Sequence, residues 1–425
     1  MVSPAVLGLL ILGLCVVLFL TNLLPLCVTG CLGCILMVLL GVVPFSTAFS
    51  GFGNSIVLLM ASAMIVGIAL FRTGVAQMIG RTAIRLAHGS ERRFLFCSCL
   101  ICAGLSMFCA NTAIVATFIP IVNSVGESGG MKRRNLLLPI TCATMIGGMS
   151  TLVGCTPQLT ANAMLLELVG QQMGMWTLTA PAMGILVLYM TYLMLFGYRQ
   201  GNRIWGDRTE NSMESEESLT EDKTAGKGKK TVMCILLIGM IILYITEIIP
   251  VTQTAILTAL LCLITGCCSV DDVRHKLHWE TVVFLAACLG LAQSVTDGGS
   301  GELLSKGVQA VLGHITSPMA IFAIIVAFTL LLSQFITNST AIVIAMPIGL
   351  SLCTAFGLAY MPFCVGITLA ASIACCTPLA ASQITMTQVA GYEFSDYVKY
   401  GVLPTLVMYT GILLFVPVCY PLVVS

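Results

Sequence analysis

Charged residues are scarce in this sequence. Only 9% of its 425 residues are Asp, Glu, Lys or Arg, whereas 58% are hydrophobic. Soluble domains carry about a quarter charged residues, so this composition excludes a soluble protein. Apolar runs long enough to span a bilayer recur along the chain, which excludes a single amphipathic anchor or a cleaved leader as their source. The composition therefore predicts an all-α polytopic membrane protein embedded in the lipid bilayer.

Patterns typical of metal sites are also lacking. The chain has four His and 20 Cys, and the Cys lie mostly within apolar runs without zinc-type paired spacing. We interpret them as small packing residues, and we predict neither a resident metal, a disulfide framework nor another cofactor. The apolar runs contain no His-Glu, Asp-Asp or Ser-His set, so an enzyme is not predicted. No nucleic-acid partner is expected.

One hydrophilic segment divides the chain. Residues 201–230 are polar, mixed in charge and without apolar periodicity, which is typical of a flexible linker. A plain tether is the favoured interpretation, and a site of phosphorylation or partner binding is the alternative. The linker separates a first half, residues 1–200, from a second half, residues 231–425.

An Asn followed by a hydroxyl residue interrupts one long apolar stretch in each half. The first copy runs from Ser106 through Asn111-Thr112 to Pro120, and the second from Ser333 through Asn338-Ser339 to Pro347. An amide at membrane depth is costly unless it turns the backbone, binds a ligand or bonds a neighbour. Because other landmarks recur in the same order, the sequence predicts an internal duplication and a pseudo-symmetric transporter with a shared central site.

Each half is predicted to contain five spans and one re-entrant hairpin, giving about 10 transmembrane helices and two hairpins in all. The hairpins are the interrupted stretches 93–125 and 317–350. The predicted spans lie near residues 4–21, 26–43, 54–72, 135–165 and 177–198, then 231–248, 251–267, 279–297, 362–391 and 401–422. Short amphipathic pieces are expected at 75–88 and 301–314. An odd number of spans per half gives two inverted-topology repeats.

The placement of basic residues supports this arrangement. Segments 72–93, 131–134, 199–230, 268–278 and 392–400 then share one face and contain every Lys and Arg except Lys306. By the positive-inside rule that face is cytoplasmic. We therefore predict a multi-pass protein of the cell membrane, with a cytoplasmic linker and both termini outside. The hairpin at 93–125 enters from the cytoplasmic side and the hairpin at 317–350 from outside.

The residue types at the two interruptions suit both a cation and an anion. An Asn side chain offers a carbonyl oxygen to a cation and an amide NH2 group to an anion. Neutral oxygens suit a small hard cation such as sodium, and the free N–H groups of a half-helix N-terminus attract an anion. The hydroxyls that add oxygens are those of Ser106, Thr112, Ser333 and Ser339. Hydrogen bonding between packed helices is the alternative.

Irregular segments rich in Gly and Pro follow each interrupted stretch. They break the backbone ladder and free carbonyl groups that can complete a cation shell. We favour 154–157 and 380–382 as the functional segments, which begin at Gly154 and Ala380. Gly147-Gly148 has the alternative interpretation of a packing kink between closely approaching helices.

These motifs resemble those of the divalent anion:sodium symporters, the sodium-coupled dicarboxylate, citrate and sulfate carriers, over essentially the whole chain. The resemblance implies one sodium site at Ser106, Asn111 and the Gly154 backbone, and another at Ser333, Asn338 and the Ala380 backbone. It implies substrate contacts from Asn111, Thr112, Asn338 and Ser339, with Thr156, Pro157 and Ser382 beside them. It also implies a homodimer with an elevator-like movement. Four residues depart from the family pattern, namely Ala110, Gln158, Ala381 and Ser382.

The expected function is sodium-coupled symport of a small divalent anion, such as succinate, malate, citrate or sulfate. No Lys or Arg lies in the predicted spans near the site, so a bound cation has to supply the positive charge that the anion needs. A proton-coupled permease and an organic-anion exchanger remain alternatives. An anion channel is disfavoured because closed hairpins leave no continuous polar pore.

Overall fold

The computed structural model describes residues 3–21, 23–75, 78, 90–129, 131–205, 227–246, 248–300, 303 and 317–423. Within these ranges helix is the only regular secondary structure, apart from one isolated bridge between Leu358 and Val423. The predicted all-α class is confirmed. Most of the predicted amphipathic pieces at 75–88 and 301–314, and the interior of the linker, lie outside the described residues.

The first half contains ten helical segments. They are α1 (Pro4–Thr21), α2 (Leu26–Leu39), α3 (Phe45–Ala48), α4 (Ser55–Arg72), α5 (Glu91–Ser106), α6 (Asn111–Gly129), α7 (Arg133–Gly148), α8 (Thr156–Val169), α9 (Thr179–Tyr192) and α10 (Tyr198–Trp205), as far as the described ranges reach. A short 3-10 turn, Ser50–Gly53, follows α3, and a π-helical turn, Leu193–Gly197, makes α9 and α10 one continuous helix.

The second half contains nine helical segments within the part of the chain that is described. Its helices are α11 (Lys227–Thr246), α12 (Val251–Ile264), α13 (Val270–Lys276), α14 (Trp279–Asp297), α15 (Pro318–Leu332), α16 (Asn338–Phe356), α17 (Tyr360–Ala371), α18 (Ser382–Thr385) and α19 (Phe394–Cys419). A 3-10 turn, Met386–Ala390, follows α18.

Several helices are long and apolar enough to cross a membrane. Among the described residues, six qualify by length and composition: 55–72, 179–205, 228–246, 279–297, 338–356 and 394–419. Further apolar helices, such as α2 and α12, are shorter. A multi-pass membrane protein follows from these helices, since soluble domains do not build repeated helices of this length and composition.

Two predicted spans are broken in the middle. The segment 135–165 consists of α7, which ends at Gly148, and α8, which begins at Thr156. The segment 362–391 consists of α17, an irregular stretch 372–381 and the short α18. Pro157 occupies the first turn of α8, where its missing N–H costs nothing, so a new helix begins there. The polar breaks lie where the candidate site is expected.

The two halves interleave in two groups of helices. In the framework group, α1–α4 and α11–α14, α4 packs on α12 and α2 packs on α14. In the site-bearing group, α5–α10 and α15–α19, α5 packs on α7, α9 on α19, and α16 on both α8 and α17. The groups meet chiefly where α8 contacts α14 and α4. Each group therefore contains helices from both halves.

The helix before the linker extends further than predicted. Residue 200 is not its end, because α10 continues to Trp205, and α11 begins at Lys227 rather than at 231. The Trp205 ring is buried, packs 5.2 Å from the Tyr392 ring and 5.1 Å from the Tyr400 ring, and so anchors the helix end. This packing joins the first half to the second.

Candidate functional site

Ser106 and Asn111 lie on either side of the break between α5 and α6. Ser106 is the last residue of α5, and Asn111 is the first residue of α6. Both are buried, and the Ser106 hydroxyl donates a hydrogen bond to Asn111 Oδ1. The first backbone N–H groups of α6 have no partner within the helix. We call this break, residues 106–111, the first tip, and the corresponding break at residues 333–338 the second tip. The first tip is therefore a buried amide beside a helix N-terminus.

Two glycines let the backbone approach this tip. A Cβ atom on Gly148 would lie 2.2 Å from Asn111 Oδ1, and one on Gly154 would lie 2.3 Å from the Gly148 carbonyl oxygen and 2.9 Å from that of Ser106. Such distances exclude any side chain at either position. The carbonyl oxygens of Ser106 and Gly148 thus face Gly154, and the Asn111 side-chain oxygen, which accepts from the Ser106 hydroxyl, lies against Gly148. We call the four residues Ser106, Asn111, Gly148 and Gly154 the first oxygen cluster.

A threonine ties each irregular segment to its tip. Thr151 donates to the carbonyl oxygen of Met107, the residue after Ser106. Thr377 donates in the same way to the carbonyl oxygen of Gln334, the residue after Ser333. The equivalence of these two hydrogen bonds places the two irregular segments against equivalent residues of their tips.

The second tip is bonded differently. The Ser333 hydroxyl lies 2.9 Å from the Leu330 carbonyl oxygen, 3.2 Å from that of Ile373 and 3.4 Å from that of Ala370. Asn338 is not its acceptor. Within the described residues, Asn338 Oδ1 is buried and has no hydrogen-bond partner. Ser106 and Asn111 are therefore hydrogen-bonded to each other in the first tip, whereas Ser333 and Asn338 are not in the second.

The helix beyond the second tip begins with a polar cap. Thr337 precedes α16, and its hydroxyl accepts from the Thr340 N–H at 3.4 Å and lies 2.7 Å from the Thr340 hydroxyl. Asn338 is the first residue of α16, and the buried Ser339 is the second. A further orphan N–H group of this helix end remains for a ligand or water.

Gln158 joins the first turn of α8 to the irregular stretch beside the second tip. Its Nε2 donates to Ser372 Oγ at 3.1 Å, and both side chains are buried. Ser372 is followed directly by Ile373, whose carbonyl oxygen contacts Ser333. Gln158 Oε1 is buried without a partner in the described part of the chain. One hydrogen bond between the halves thus connects α8 with the surroundings of the second tip.

The other predicted site residues lie on the same helix ends. Thr156 and Pro157 open α8, Thr112 follows Asn111 on α6, and Ser382 opens α18. Helix α18 packs against α6, and α16 packs against α8. Each tip helix therefore contacts the irregular region of the opposite half. Ala380 is buried, whereas Ser382 is exposed.

The family follows from comparison with known proteins. Residues 16–327 match the family model described as citrate transporter. The chain belongs to the citrate transporter family. This membership confirms the resemblance to the sodium-coupled carboxylate carriers.

Individual relatives agree with this membership. The uncharacterized transporter YfbS of Escherichia coli K12 is 33% identical over 190 residues, which is 42% of this chain and 31% of that protein. The chain thus spans about a third of that relative's length. The sodium-dependent dicarboxylate transporter SdcS of Staphylococcus aureus (strain NCTC 8325) is 23% identical, covering 92% of this chain and 83% of that protein.

A solved structure shares the fold. The YdaH transporter of Alcanivorax borkumensis superimposes with a TM-score of 0.65 at 12% identity, covering 87% of this chain and 86% of that one. At this identity the likeness concerns the fold alone. This chain therefore has the fold of a solved transporter structure.

Several residues at the tips were not predicted as site residues. Gly148, for which a packing kink was the alternative interpretation, lies directly against Asn111. The others are Gln334, Thr151 and Thr377, whose hydrogen bonds organise the two tips. Gln334 carried a usable signal, because an amide next to Ser333 in an apolar stretch is costly unless bonded.

No basic side chain lies near either tip along the chain. Residues 94–131, 135–198 and 307–398, which include both tips and both irregular segments, contain no Lys or Arg. An anion in this region can be balanced by helix N-termini, by amide groups or by a bound cation. The first oxygen cluster is the part of the site whose donor set suits a cation.

Proposed function

We propose that this transporter couples the movement of sodium to that of a small divalent anion. The candidate anions are dicarboxylates and tricarboxylates such as succinate, malate and citrate, or sulfate. The observation that carries the proposal is the first oxygen cluster, in which two backbone carbonyl oxygens face Gly154 and the hydrogen-bonded Ser106 hydroxyl and Asn111 amide oxygen lie beside Gly148. Oxygen sets of this kind, at broken helices, bind sodium in transporters.

The anion would lie beside the tips, where α6 and α16 begin. The residues that contact the anion are Asn111, Thr112, Asn338 and Ser339, and Thr156, Pro157 and Ser382 lie beside them. The free N–H groups of two helix N-termini and the amide NH2 groups supply donors. Because no Lys or Arg lies in these segments, sodium in the first oxygen cluster supplies the positive charge. Anion binding then requires sodium, and the two move together.

Alternating access would come from movement of one helix group against the other. The site-bearing group carries both tips, and the framework group packs beside it through α14 and α4. We propose an elevator-type movement of the site-bearing group within a homodimer. The two repeats would enter the membrane with inverted orientation, the linker facing the cytoplasm and both termini outside, as the placement of Lys and Arg supports.

Uptake into proteoliposomes tests the proposed function. The purified full-length protein is assayed with labelled succinate, malate, citrate and sulfate, each with an inward sodium gradient or an equal choline gradient. We expect uptake of at least one of these anions that depends on sodium. Uptake that is indifferent to sodium for every transported anion would contradict symport with sodium.

One observation favours a proton-coupled permease as a second candidate. Asn54, the cap of α4, donates to Glu167 Oε1 at 2.8 Å, at the contact between the framework and site-bearing groups. A half-buried carboxylate at such a contact can carry a proton between two positions of the groups. Uptake driven by an inward pH gradient without sodium, and abolished by Glu167→Gln, would favour this candidate over the first.

A further inference from the structure

We infer that the protein has one cation site, in the first half, and that the Gln334 amide takes the place of a cation in the second half. The inference rests on the proposed function for the role of the first oxygen cluster. It departs from the two equivalent sodium sites that the family resemblance implies. Its basis is the difference in hydrogen bonding between the two tips.

The Gln334 amide nitrogen lies among oxygen atoms. Its Nε2 is 2.6 Å from the Ile373 carbonyl oxygen, 3.0 Å from that of Leu330 and 3.3 Å from Ser333 Oγ. These oxygens come from the end of one half-helix, from the irregular segment and from the predicted sodium ligand Ser333. An amide NH2 group therefore occupies the point where a cation would gather its ligands.

The orientation of the amide follows from its other contact. Gln334 Oε1 accepts a hydrogen bond from the Cys376 backbone N–H at 3.0 Å. A flipped amide would place its NH2 group against that N–H and its oxygen against carbonyl oxygens, so both contacts would be lost. The NH2 group is thereby directed at the carbonyl oxygens.

Donors and acceptors balance in the second tip without a cation. Three carbonyl oxygens, those of Leu330, Ala370 and Ile373, lie near the tip's side chains. Ser333 contributes one hydroxyl hydrogen, and Gln334 contributes two amide hydrogens. A cation entering here would have to displace buried donors and leave them unpaired, which costs as much as the hydrogen bonds they lose.

The first tip differs at the equivalent position. Met107 follows Ser106 where Gln334 follows Ser333, and the equivalent threonine bonds to their carbonyl oxygens confirm the correspondence. A methionine side chain has no hydrogen to donate. The Ser106 hydroxyl donates to Asn111 Oδ1, so it does not satisfy the carbonyl oxygens of the first oxygen cluster. The carbonyl oxygens of the first oxygen cluster suit a cation, whereas the carbonyl oxygens at the second tip already accept hydrogen bonds from Ser333 and Gln334.

The unpartnered Asn338 oxygen is consistent with this division. Because Ser333 bonds to the backbone, Asn338 is released from the role that Asn111 has in the first tip. A single amide oxygen does not form a cation shell, since hard cations take several oxygen ligands together. Asn338 is left to contact the transported anion or a hydroxyl group on it. The pseudo-symmetric site thus becomes functionally asymmetric.

A sodium titration of protein stability tests the inference without any transported anion. The thermal midpoint of the full-length protein in nanodiscs is measured across sodium chloride concentrations, with choline chloride holding the ionic strength constant. Each bound cation adds its own dependence on the logarithm of sodium concentration. We expect a positive slope for the wild type, loss of that slope in Ser106→Ala, and the wild-type slope in the matched variant Ser333→Ala.

Exchange of the residues that distinguish the tips gives the second arm. Gln334→Met removes the amide and should make the slope steeper, by up to about twofold, as a second site opens. Met107→Gln introduces an amide at the first tip and should make the slope less steep. A slope reduced equally by Ser106→Ala and Ser333→Ala, or unchanged by Gln334→Met, would overturn the inference while leaving sodium coupling intact. A wild-type slope of zero would overturn both the cation site and the proposed sodium coupling.

Discussion

Gln158 donates a hydrogen bond of 3.1 Å to Ser372, which joins the first turn of α8 to the irregular stretch 372–381 of the other half. Ser372 in turn donates to the Thr368 carbonyl oxygen at 2.9 Å, so its hydroxyl both accepts and donates. The neighbouring residue Ile373 contacts the second tip. A buried hydrogen bond between the halves therefore connects α8 with the surroundings of the second tip.

A double-mutant cycle measures this connection. Gln158→Leu and Ser372→Ala, separately and combined, are compared by equilibrium unfolding in mixed micelles. We expect a coupling free energy of about 0.6 kcal/mol, the average for hydrogen bonds between membrane helices. Gln158→Leu alone should cost less than about 2 kcal/mol, because it also removes a buried oxygen that has no partner. Strict additivity would show that the two residues are energetically independent.

Alanine at either tip amide should suppress transport. Asn111→Ala removes an oxygen of the first oxygen cluster, and Asn338→Ala removes a predicted substrate contact. Loss of a hydrogen bond or ligand to a charged group costs about 1.5–3 kcal/mol, so the apparent affinity for sodium or anion should fall by roughly 10- to 100-fold. Initial uptake rates across sodium and anion concentrations check this.

A third amide serves as the control. Asn162 is buried on α8 and accepts from the Met173 N–H at 2.6 Å, away from both tips along the chain. Asn162→Ala should lower stability by about 1–3 kcal/mol, since it leaves a donor unpaired. Its affinity for sodium should stay that of the wild type. Wild-type uptake in Asn111→Ala and Asn338→Ala would mean that the tip amides serve only packing.

The Trp205 ring is expected to hold the site-bearing group together. It is buried against two tyrosine rings, and its Nε1 donates to Asn135 Oδ1 at 2.6 Å. Trp205→Ala should lower the free energy of unfolding by about 3–5 kcal/mol. The half-exposed Trp279 is the matched control, and Trp279→Ala should change the free energy of unfolding by only about 0.5 kcal/mol. Chemical unfolding followed by circular dichroism gives both values, and similar losses would contradict the assignment.

Acid should weaken the contact between α4 and α13. Arg72 forms an ion pair with Asp272, which also accepts from the Ser269 N–H at 2.8 Å. Burial raises the pKa of Asp272, but the hydrogen bonds from Ser269 and the charges of Arg72 and Lys276 outweigh it, so the pKa lies below its usual value of 3.8. The ionised form is therefore favoured in the folded protein.

The sign of the pH dependence follows directly. Because the folded pKa is depressed, this stabilisation is complete above the usual pKa and is lost as the pH falls through the folded value. Asp272→Asn should be less stable than the wild type at neutral pH by about 0.5–1 kcal/mol, because the ion pair is partly exposed and screened by solvent. The two proteins should converge in stability as the pH falls through the folded pKa of Asp272, which lies below 3.8. A difference that persists unchanged at low pH would contradict the electrostatic explanation.

The fold class and the helix breaks were accessible from the sequence because they depend on local composition. The scarcity of charge predicts spanning helices, and Asn111 and Asn338 do begin helices after a break in an apolar stretch. Helix ends were less accurate. Trp205 extends its helix past the predicted boundary through aromatic packing with Tyr392 and Tyr400, which are nearly 200 residues away in the chain. Such contacts leave no local signal.

Site membership was predictable where a polar residue interrupts an apolar stretch, and not where the backbone takes part. Asn111 is conspicuous in the sequence for that reason. Gly148 is not, because its role comes from the approach of another segment's amide to a glycine without a Cβ atom. Ser106 and Ser333 have the same side chain at the same spacing before an Asn, yet they bond to different acceptors.

The sequence by itself determined that this is a helical membrane transporter with a doubled motif, since hydropathy, charge placement and repetition are properties of the chain. Only the tertiary structure decided how the two motifs differ. The hydrogen bonds of Gln334 to carbonyl oxygens from separate segments exist only when those segments meet in the folded protein. Local pattern specifies which polar groups enter the membrane, and packing specifies which of them already have partners there.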